Sequence, residues 1–246
     1  WGARSPSDSK RVTSMSITVP TAGSKYEFQV SGNNSEGQGT WSSMQSILVT
    51  EAPSAPRSPK ARSGKHTVTL SWSAPSSDGG SPVTRYVIQS RSKAAGGKWT
   101  SWAASSVAAT LETSYSKKFS SLKPGTAFEF RVSAQSNYGT SVSTAVVSAT
   151  AKGAPGAPKS FKVKASKGKT KLTWKAAPSN GARVTKYYAQ YSTNGQTWKK
   201  VKTLGGSARS VSTKVGKKGQ KLYFRVIAKN SYGKGTPSKT VTVTRR

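Results

Sequence analysis

The sequence predicts an all-β protein made of antiparallel sandwiches in tandem, the first of them incomplete. Three observations predict it. A strand-like segment recurs as Tyr26-Glu27-Phe28-Gln29-Val30, Phe128-Glu129-Phe130-Arg131-Val132 and Leu222-Tyr223-Phe224-Arg225-Val226, at separations of 102 and 94 residues. Self-similarity at a near-fixed period marks a repeat architecture. Within the last copy, Leu222, Phe224, Val226 and Ala228 fall on one side, and Tyr223, Arg225 and Ile227 on the other, which is the alternation of a half-buried strand. No stretch sustains helical spacing, and the apolar runs are short and bounded by Pro, Gly, Ser and Asn, as in a sandwich.

The elements follow in order. Trp1 lies 25 residues before Tyr26, close to the 24 between Trp198 and Leu222. Residues 1–52 therefore read as the C-terminal part of a module, strands E to G. Half a sandwich leaves an apolar face and strand edges uncovered. The polypeptide is expected to continue upstream, or another chain to complete the module. Glu51-Ala52-Pro53-Ser54-Ala55-Pro56 is a first linker, its prolines unsuited to a central strand. Residues 53–152 form a full module: Thr69-Leu70-Ser71-Trp72, Pro75, Val83-Thr84-Arg85-Tyr86 and Trp99 precede the recurring segment. A second linker runs from Lys152 to Pro158. Residues 153–246 repeat the pattern as Lys171-Leu172-Thr173-Trp174, Pro178, Val184-Thr185-Lys186-Tyr187 and Trp198. A glycine follows the recurring segment each time, at Gly37, Gly139 and Gly233.

These residues resemble the fibronectin type III module, an immunoglobulin-like sandwich. The family has a buried Trp in strand B, a Tyr in strand C, a Leu-x-Pro-Gly-Thr corner and a strand F ending near a Gly. Module two, residues 53–152, carries these as Trp72, Tyr86, Leu122-Lys123-Pro124-Gly125-Thr126, Phe130-Arg131-Val132 and Gly139. The resemblance implies that Trp72 and Trp174 lie buried between two sheets. It also implies a beaded, usually extracellular, non-enzymatic array, without naming a ligand. The corner residue is Tyr26, Phe128 and Leu222 in the three copies. The family's corner hydrogen bond from a tyrosine hydroxyl is thus available only in the first. The third copy replaces the corner sequence with Val215-Gly216-Lys217-Lys218-Gly219.

Composition excludes several functions. There is no cysteine and one histidine, so thiolate or multi-histidine metal sites and cysteine nucleophiles are ruled out. The acids are Asp8, Glu27, Glu36, Glu51, Asp78, Glu112 and Glu129, scattered rather than paired as two-carboxylate hydrolysis or calcium binding needs. No nucleophile elbow or phosphate-cradling loop is present. His66 reads as a solvent-facing strand-edge residue. Nothing calls for a catalytic residue or a cofactor. No apolar run is long enough to span a membrane. Asn33-Asn34-Ser35 is a glycosylation sequon in an expected turn, and reads first as turn chemistry. Nothing like a sorting signal precedes Arg245-Arg246, so covalent wall anchoring at that end is not expected.

The charge carries the most information. The formal net charge is +33, with 40 Lys and Arg against seven acids. Residues 1–52 are net neutral, residues 53–152 carry +10, and residues 153–246 carry 23 cations and no acid. Of the cations 28 are Lys, which attracts anions without the planar fork that reads bases. Sequence-specific nucleic-acid binding is therefore disfavoured. Alternation turns Lys162 and Lys164 outward on strand A, Lys171 and Lys175 outward on strand B, with Lys214 joining from strand E. These strands share one sheet in the family, so one face of module three is a lysine surface. A solubilising role competes with a polyanion-binding one, but balanced charge would serve solubility as well. On the other sheet Lys186 and Tyr188 face out from strand C, and Tyr223, Arg225 and Ile227 from strand F. Cations beside aromatics suit sugar rings or a neighbouring subunit; cross-strand packing is the other reading of the tyrosines. Module two offers no aromatic at the equivalent strand positions.

The leading expectation is a non-catalytic structural or adhesive array on a bacterial surface, appendage or secreted protein. It would dock on acidic cell-wall or capsular polymer, or on an acidic face of a neighbouring subunit. Ser and Thr make up 68 residues, and with the missing cysteines this fits bacterial export. Asp78-Gly79-Gly80-Ser81-Pro82-Val83 resembles modules of exported actinobacterial proteins. A virion component such as a phage tail decoration, and an accessory region of a carbohydrate-active enzyme, are the alternatives.

Overall fold

The computed structural model describes residues 13–19, 21–109, 114–166 and 168–246. The described residues contain no helix. The first strands are β1 (Lys25–Phe28), β2 (Asn33–Asn34), β3 (Gly37–Gln38) and β4 (Gln45–Leu48). β1 pairs antiparallel with β4, and β2 with β3. The strand E expected ahead of them does not form in residues 13–19, and Trp1 lies outside the described residues.

Module two contains β5 (Arg57–Gly64), β6 (Thr67–Ser73), β7 (Arg85–Lys93), β8 (Ala103–Ala108), β9 (Ser114–Phe119), β10 (Ala127–Ser136), β11 (Gly139–Thr140) and β12 (Val147–Thr150). One sheet runs β5-β6-β9; the other runs β8-β7-β10-β11, with β12 also on β10. Module three repeats this with β13 (Lys159–Ser166), β14 (Lys169–Lys175), β15 (Lys186–Ser192), β16 (Lys199–Gly205), β17 (Ser210–Thr213), β18 (Lys221–Asn230), β19 (Gly233–Pro237) and β20 (Val241–Thr244). Its sheets are β13-β14-β17 and β16-β15-β18-β19, with β20 on β18. Counting the two-part last strand once, each is a seven-stranded sandwich of strands A, B and E against C′, C, F and G.

The cores follow from alternation. Val68, Leu70 and Trp72 of β6 face Tyr86 and Ile88 of β7 and Phe130, Val132 and Ala134 of β10, all buried. Leu172, Trp174, Tyr187, Ala189, Phe224 and Val226 repeat that set. Each fully buried aliphatic or phenyl side chain contributes about 1.5–3 kcal/mol. Trp72 and Trp174 are 2% and 4% exposed, as the resemblance implied. Trp72, Tyr86 and Tyr115 form a three-ring cluster, with Tyr86 and Tyr115 centroids 4.5 Å apart. Burial pushes the Tyr86 phenol well above the usual tyrosine range, and its hydrogen bond with Tyr115 adds to the shift. In module three the Tyr187 hydroxyl instead accepts the Ala177 N–H at 3.0 Å.

The first segment has the same hairpin without the same cover. Tyr26 and Phe28 occupy the places of Phe128 and Phe130, yet Phe28 is only half-buried where Phe130 is fully buried. Val30 and Ile47 are 71% and 56% exposed. The Tyr26 hydroxyl bonds to the backbone upstream, though as acceptor rather than donor: it takes the Thr21 N–H at 3.3 Å. A two-stranded hairpin is at best marginally stable by itself. A peptide of residues 1–52 at micromolar concentration should show no cooperative melting transition; a sigmoidal thermal transition by circular dichroism would contradict this.

The Pro-containing connections are packed segments, with Pro53, Pro56, Pro155 and Pro158 all buried. Both are held by the same device. The Glu51 N–H donates to the Gly79 carbonyl, and the Ser54 N–H to that of Ser77. In the next joint the Gly153 N–H donates to Asn180 O, and the Gly156 N–H to Pro178 O. The Asp78-Gly79-Gly80 run is part of this joint: the Asp78 carboxylate accepts the Gly80 N–H. At Gly79, with φ of +70°, an added Cβ would run into the Glu51 carbonyl oxygen. Asn230 adds a further clamp on the second joint, its Nδ2 donating to Gly153 O at 2.8 Å. His66 is exposed in the β5–β6 turn beside this joint. Its ring Nδ1 lies 3.2 Å from Leu122 O, and its backbone N–H donates to Lys152 O.

Candidate functional site

The sheet β13-β14-β17 presents its outer side as a band of lysines. Lys162, Lys164, Lys171 and Lys175 are all exposed and alternate with the inward Val163, Leu172 and Trp174. Lys214 is exposed as well, but lies one residue past the end of β17 rather than within it. Lys159 and Lys169 extend the band at the strand ends. Between them stand only short hydroxyl side chains, among them Thr173, Ser210 and Ser212.

Register sharpens this. Lys164 sits directly opposite Lys171, and Lys159 directly opposite Lys175. Module two has a single cation at each matching pair, Arg62 opposite Thr69 and Arg57 opposite Ser73. Module three thus places lysine against lysine where its sister module pairs a cation with a hydroxyl. Like charges directly opposite one another are destabilising. With no acid in residues 153–246, nothing within the module neutralises them. The substitution Lys171→Gln is expected to stabilise module three at low ionic strength by about 0.2–1 kcal/mol. The gain should shrink as salt screens the pair. Denaturation midpoints at two salt concentrations check this; a loss of stability at low salt would contradict it.

The other sheet differs from expectation at one residue and carries aromatics from outside its strands. Ile227 is not an exposed contact residue: it is 9% exposed. It lies on a central strand, with Tyr188 opposite on β15 and Pro237 opposite on β19, and these neighbours cover it. Module two has no aromatic at the equivalent strand positions, as expected, but its loops bring two to this face. Trp99 and Trp102, from the β7–β8 connection, lie over it. The Arg91 guanidinium stands 5.1 Å from the Trp99 ring and 4.8 Å from Trp102. Lys93 and Arg131 flank the stack at 4.8 and 4.7 Å. Arg91 also pairs with Glu129 at 2.6 Å.

Module three has a shorter version. Arg225 lies 4.0 Å from the Trp198 ring centroid, and its Nε donates to Gln190 Oε1 at 2.8 Å. Burial lowers the Arg225 pKa below the usual arginine range. Lys234 stands over Tyr188 at 5.0 Å and Lys221 over Tyr223 at 5.6 Å. Lys186 is exposed at the start of β15. Each aromatic of this face therefore already has a cation of its own module against it. The arrangement reads as a cross-strand brace worth about 0.5–1 kcal/mol per exposed pair, rather than an open platform for sugar rings. Trp198 and the Trp99–Trp102 pair come from loops, where strand alternation gives no signal.

Sandwiches joined by packed linkers, with no group of three or more His, Cys, Asp or Glu placed to hold a metal among the described residues, define a β-sandwich repeat protein. The chain belongs to the fibronectin type III domain family, which matches residues 54–150 and 156–244. It is 25% identical over 246 residues to fruit-fly Titin, covering 95% of this chain and 1% of that protein. It is 26% identical over 253 residues to zebrafish receptor-type tyrosine-protein phosphatase F, covering 99% of this chain and 12% of that one. It is 33% identical over 153 residues to the fruit-fly cell adhesion molecule Dscam1, covering 59% of this chain and 7% of Dscam1. The chain thus spans a small fraction of these relatives' length, and all three are animal proteins. Among solved structures, the chicken CNTN1 FN1-FN3 domains are 24% identical, with a TM-score of 0.35, covering 90% of this chain and 76% of that one. No helix among the described residues is long and apolar enough to cross a membrane.

Proposed function

We propose that this chain is a non-catalytic structural or adhesive array that docks on an acidic polymer through the lysine face of module three. One observation carries the reading: an acid-free module that sets lysine opposite lysine in register on one sheet face. Solubility does not require such pairs, because interspersed charges of both signs serve it without the repulsion. An anion lying between Lys164 and Lys171 would relieve that repulsion, so ligand binding and module stability are coupled. The packed joints support a structural role, since each module's loop grips the segment that leads into it. Similarity to a cell adhesion molecule, fruit-fly Dscam1, supports display outside the cell or at its surface.

The polymer we propose is an acidic wall or capsular polymer on a bacterial surface or appendage. The support for this setting is the cysteine-free, Ser- and Thr-rich composition. Attraction to such a polymer draws its free energy from released counterions. Affinity of the full chain for an immobilised teichoic acid should fall steeply as salt rises. The log–log slope of affinity against salt then counts the anions engaged, at about 0.7–0.9 per contact. Affinity unchanged between low and physiological salt would reject the reading.

A further inference from the structure

A shallow pocket of about 340 Å³ opens at one end of the lysine face. Ala177, just past β14, Val184 and Tyr187 supply apolar walls, and Arg183, Ser207 and Arg209 complete the lining. The pocket adjoins in sequence the strands that carry the lysine band: Lys175 is two residues from Ala177, and Arg209 leads into β17. Its frame is fixed by two bonds from backbone N–H groups, one to a carbonyl and one to a side-chain hydroxyl. The Trp174 N–H donates to Arg209 O at 3.0 Å, and the Ala177 N–H to the Tyr187 hydroxyl at 3.0 Å.

Arg209 is held in a defined pose. Its Nη1 donates to Gly206 O at 3.1 Å and Ala208 O at 2.7 Å, and its guanidinium stands 5.5 Å from the Tyr187 ring. With Nη1 committed, the Nε and Nη2 edge of the planar fork remains for a ligand. That edge matches two oxygens of one phosphate group, a geometry that lysine cannot reproduce. Arg183 supplies a second cation to the same pocket, and the module contains no carboxylate that could occupy either arginine. Two cations lining one pocket suit a phosphate monoester, which carries close to two negative charges at neutral pH. The apolar walls suit the carbon body that carries it, in a volume at the small end of ligand sites.

We propose that this pocket is a phosphate subsite for a sugar- or polyol-phosphate unit, with Arg209 as the bidentate donor and Arg183 as the second cation. It rests on the polymer-docking reading for its context: the lysine face supplies attraction along a chain, and the pocket selects the chemistry of a terminal unit.

The test uses the full chain, isotope-labelled, titrated with glucose 1-phosphate at constant ionic strength and followed by amide NMR. Saturable shifts are expected at Val184, Gly206, Ser207 and Arg209, with none on titration with glucose. Arg209→Lys keeps the charge and loses the fork, and should weaken glucose 1-phosphate binding about tenfold. Arg183→Gln, away from the Arg209 loop bonds, should weaken it to a similar degree. Reversing Lys162, Lys164, Lys171 and Lys175 to Glu should reduce polymer binding while the same four pocket amides still saturate with glucose 1-phosphate. Absence of saturable shifts, or shifts spread over the lysine strands and unaltered by Arg209→Lys, overturns the subsite and leaves polymer docking standing. In the parent chain, glucose 1-phosphate binding without any polymer binding overturns the docking reading and leaves the subsite standing.

Discussion

Replacing Trp72 with alanine is expected to destabilise module two by about 3–5 kcal/mol, the range for deleting a buried large aromatic. The indole is 2% exposed and lies between the sheets. It stacks on Tyr115 at 5.9 Å and meets Tyr86 edge-on at 5.4 Å. Its removal opens a cavity that the flanking strands cannot collapse into, because Val68 and Leu70 are anchored in the same fully buried row. Domain stabilities of about 5–15 kcal/mol are typical, so much of the module's margin would be lost. Chemical denaturation of the full chain should show the module-two transition move while that of module three holds its midpoint. A shift below about 1 kcal/mol, less than burial of a single aliphatic side chain contributes, would mean that the core is not organised around this ring.

The core and the lysine face were legible in the sequence for the same reason. Period-two alternation fixes which side of a strand each residue occupies, and Leu172, Trp174, Lys171 and Lys175 all lie within one strand. What alternation cannot convey is the lateral neighbour. Ile227 was assigned to the outer face correctly but is covered, because Tyr188 and Pro237 come from strands about forty and ten residues away in sequence. The pairing of Lys164 with Lys171 depends on register, which the turn between β13 and β14 sets. Trp99, Trp102 and Trp198 lie on loops, and loops carry no periodic signal. The Arg183–Arg209 pocket draws on three separate segments, and no local pattern brings these together. The place of the Asp78-Gly79-Gly80 run in the joint with Glu51 likewise became evident only once the segments met.

Charge reversal on the lysine face should have the largest effect on binding. The quadruple variant Lys162→Glu, Lys164→Glu, Lys171→Glu and Lys175→Glu removes four contacts to an acidic polymer. At about 0.5 kcal/mol for each exposed charged contact this amounts to about 2 kcal/mol, or roughly 30-fold in affinity. The variant keeps like charges opposed where Lys164 faced Lys171, and turns the Lys159–Lys175 pair into one of opposite charge, so its stability is measured beside its binding. Total charge alone would predict the same loss from any four lysines. A control reversing Lys199, Lys200, Lys217 and Lys218, which are exposed away from the three-stranded sheet, makes the same change in net charge.

The most direct measurement compares these two quadruple variants with the parent chain on immobilised teichoic acid across a salt series. The face variant should lose affinity roughly 30-fold at low salt, and its log–log salt slope should fall by about three to four. The control should keep most of its affinity. Equal losses and equal slopes in the two variants would mean that only total charge matters, and would contradict a docking face on module three.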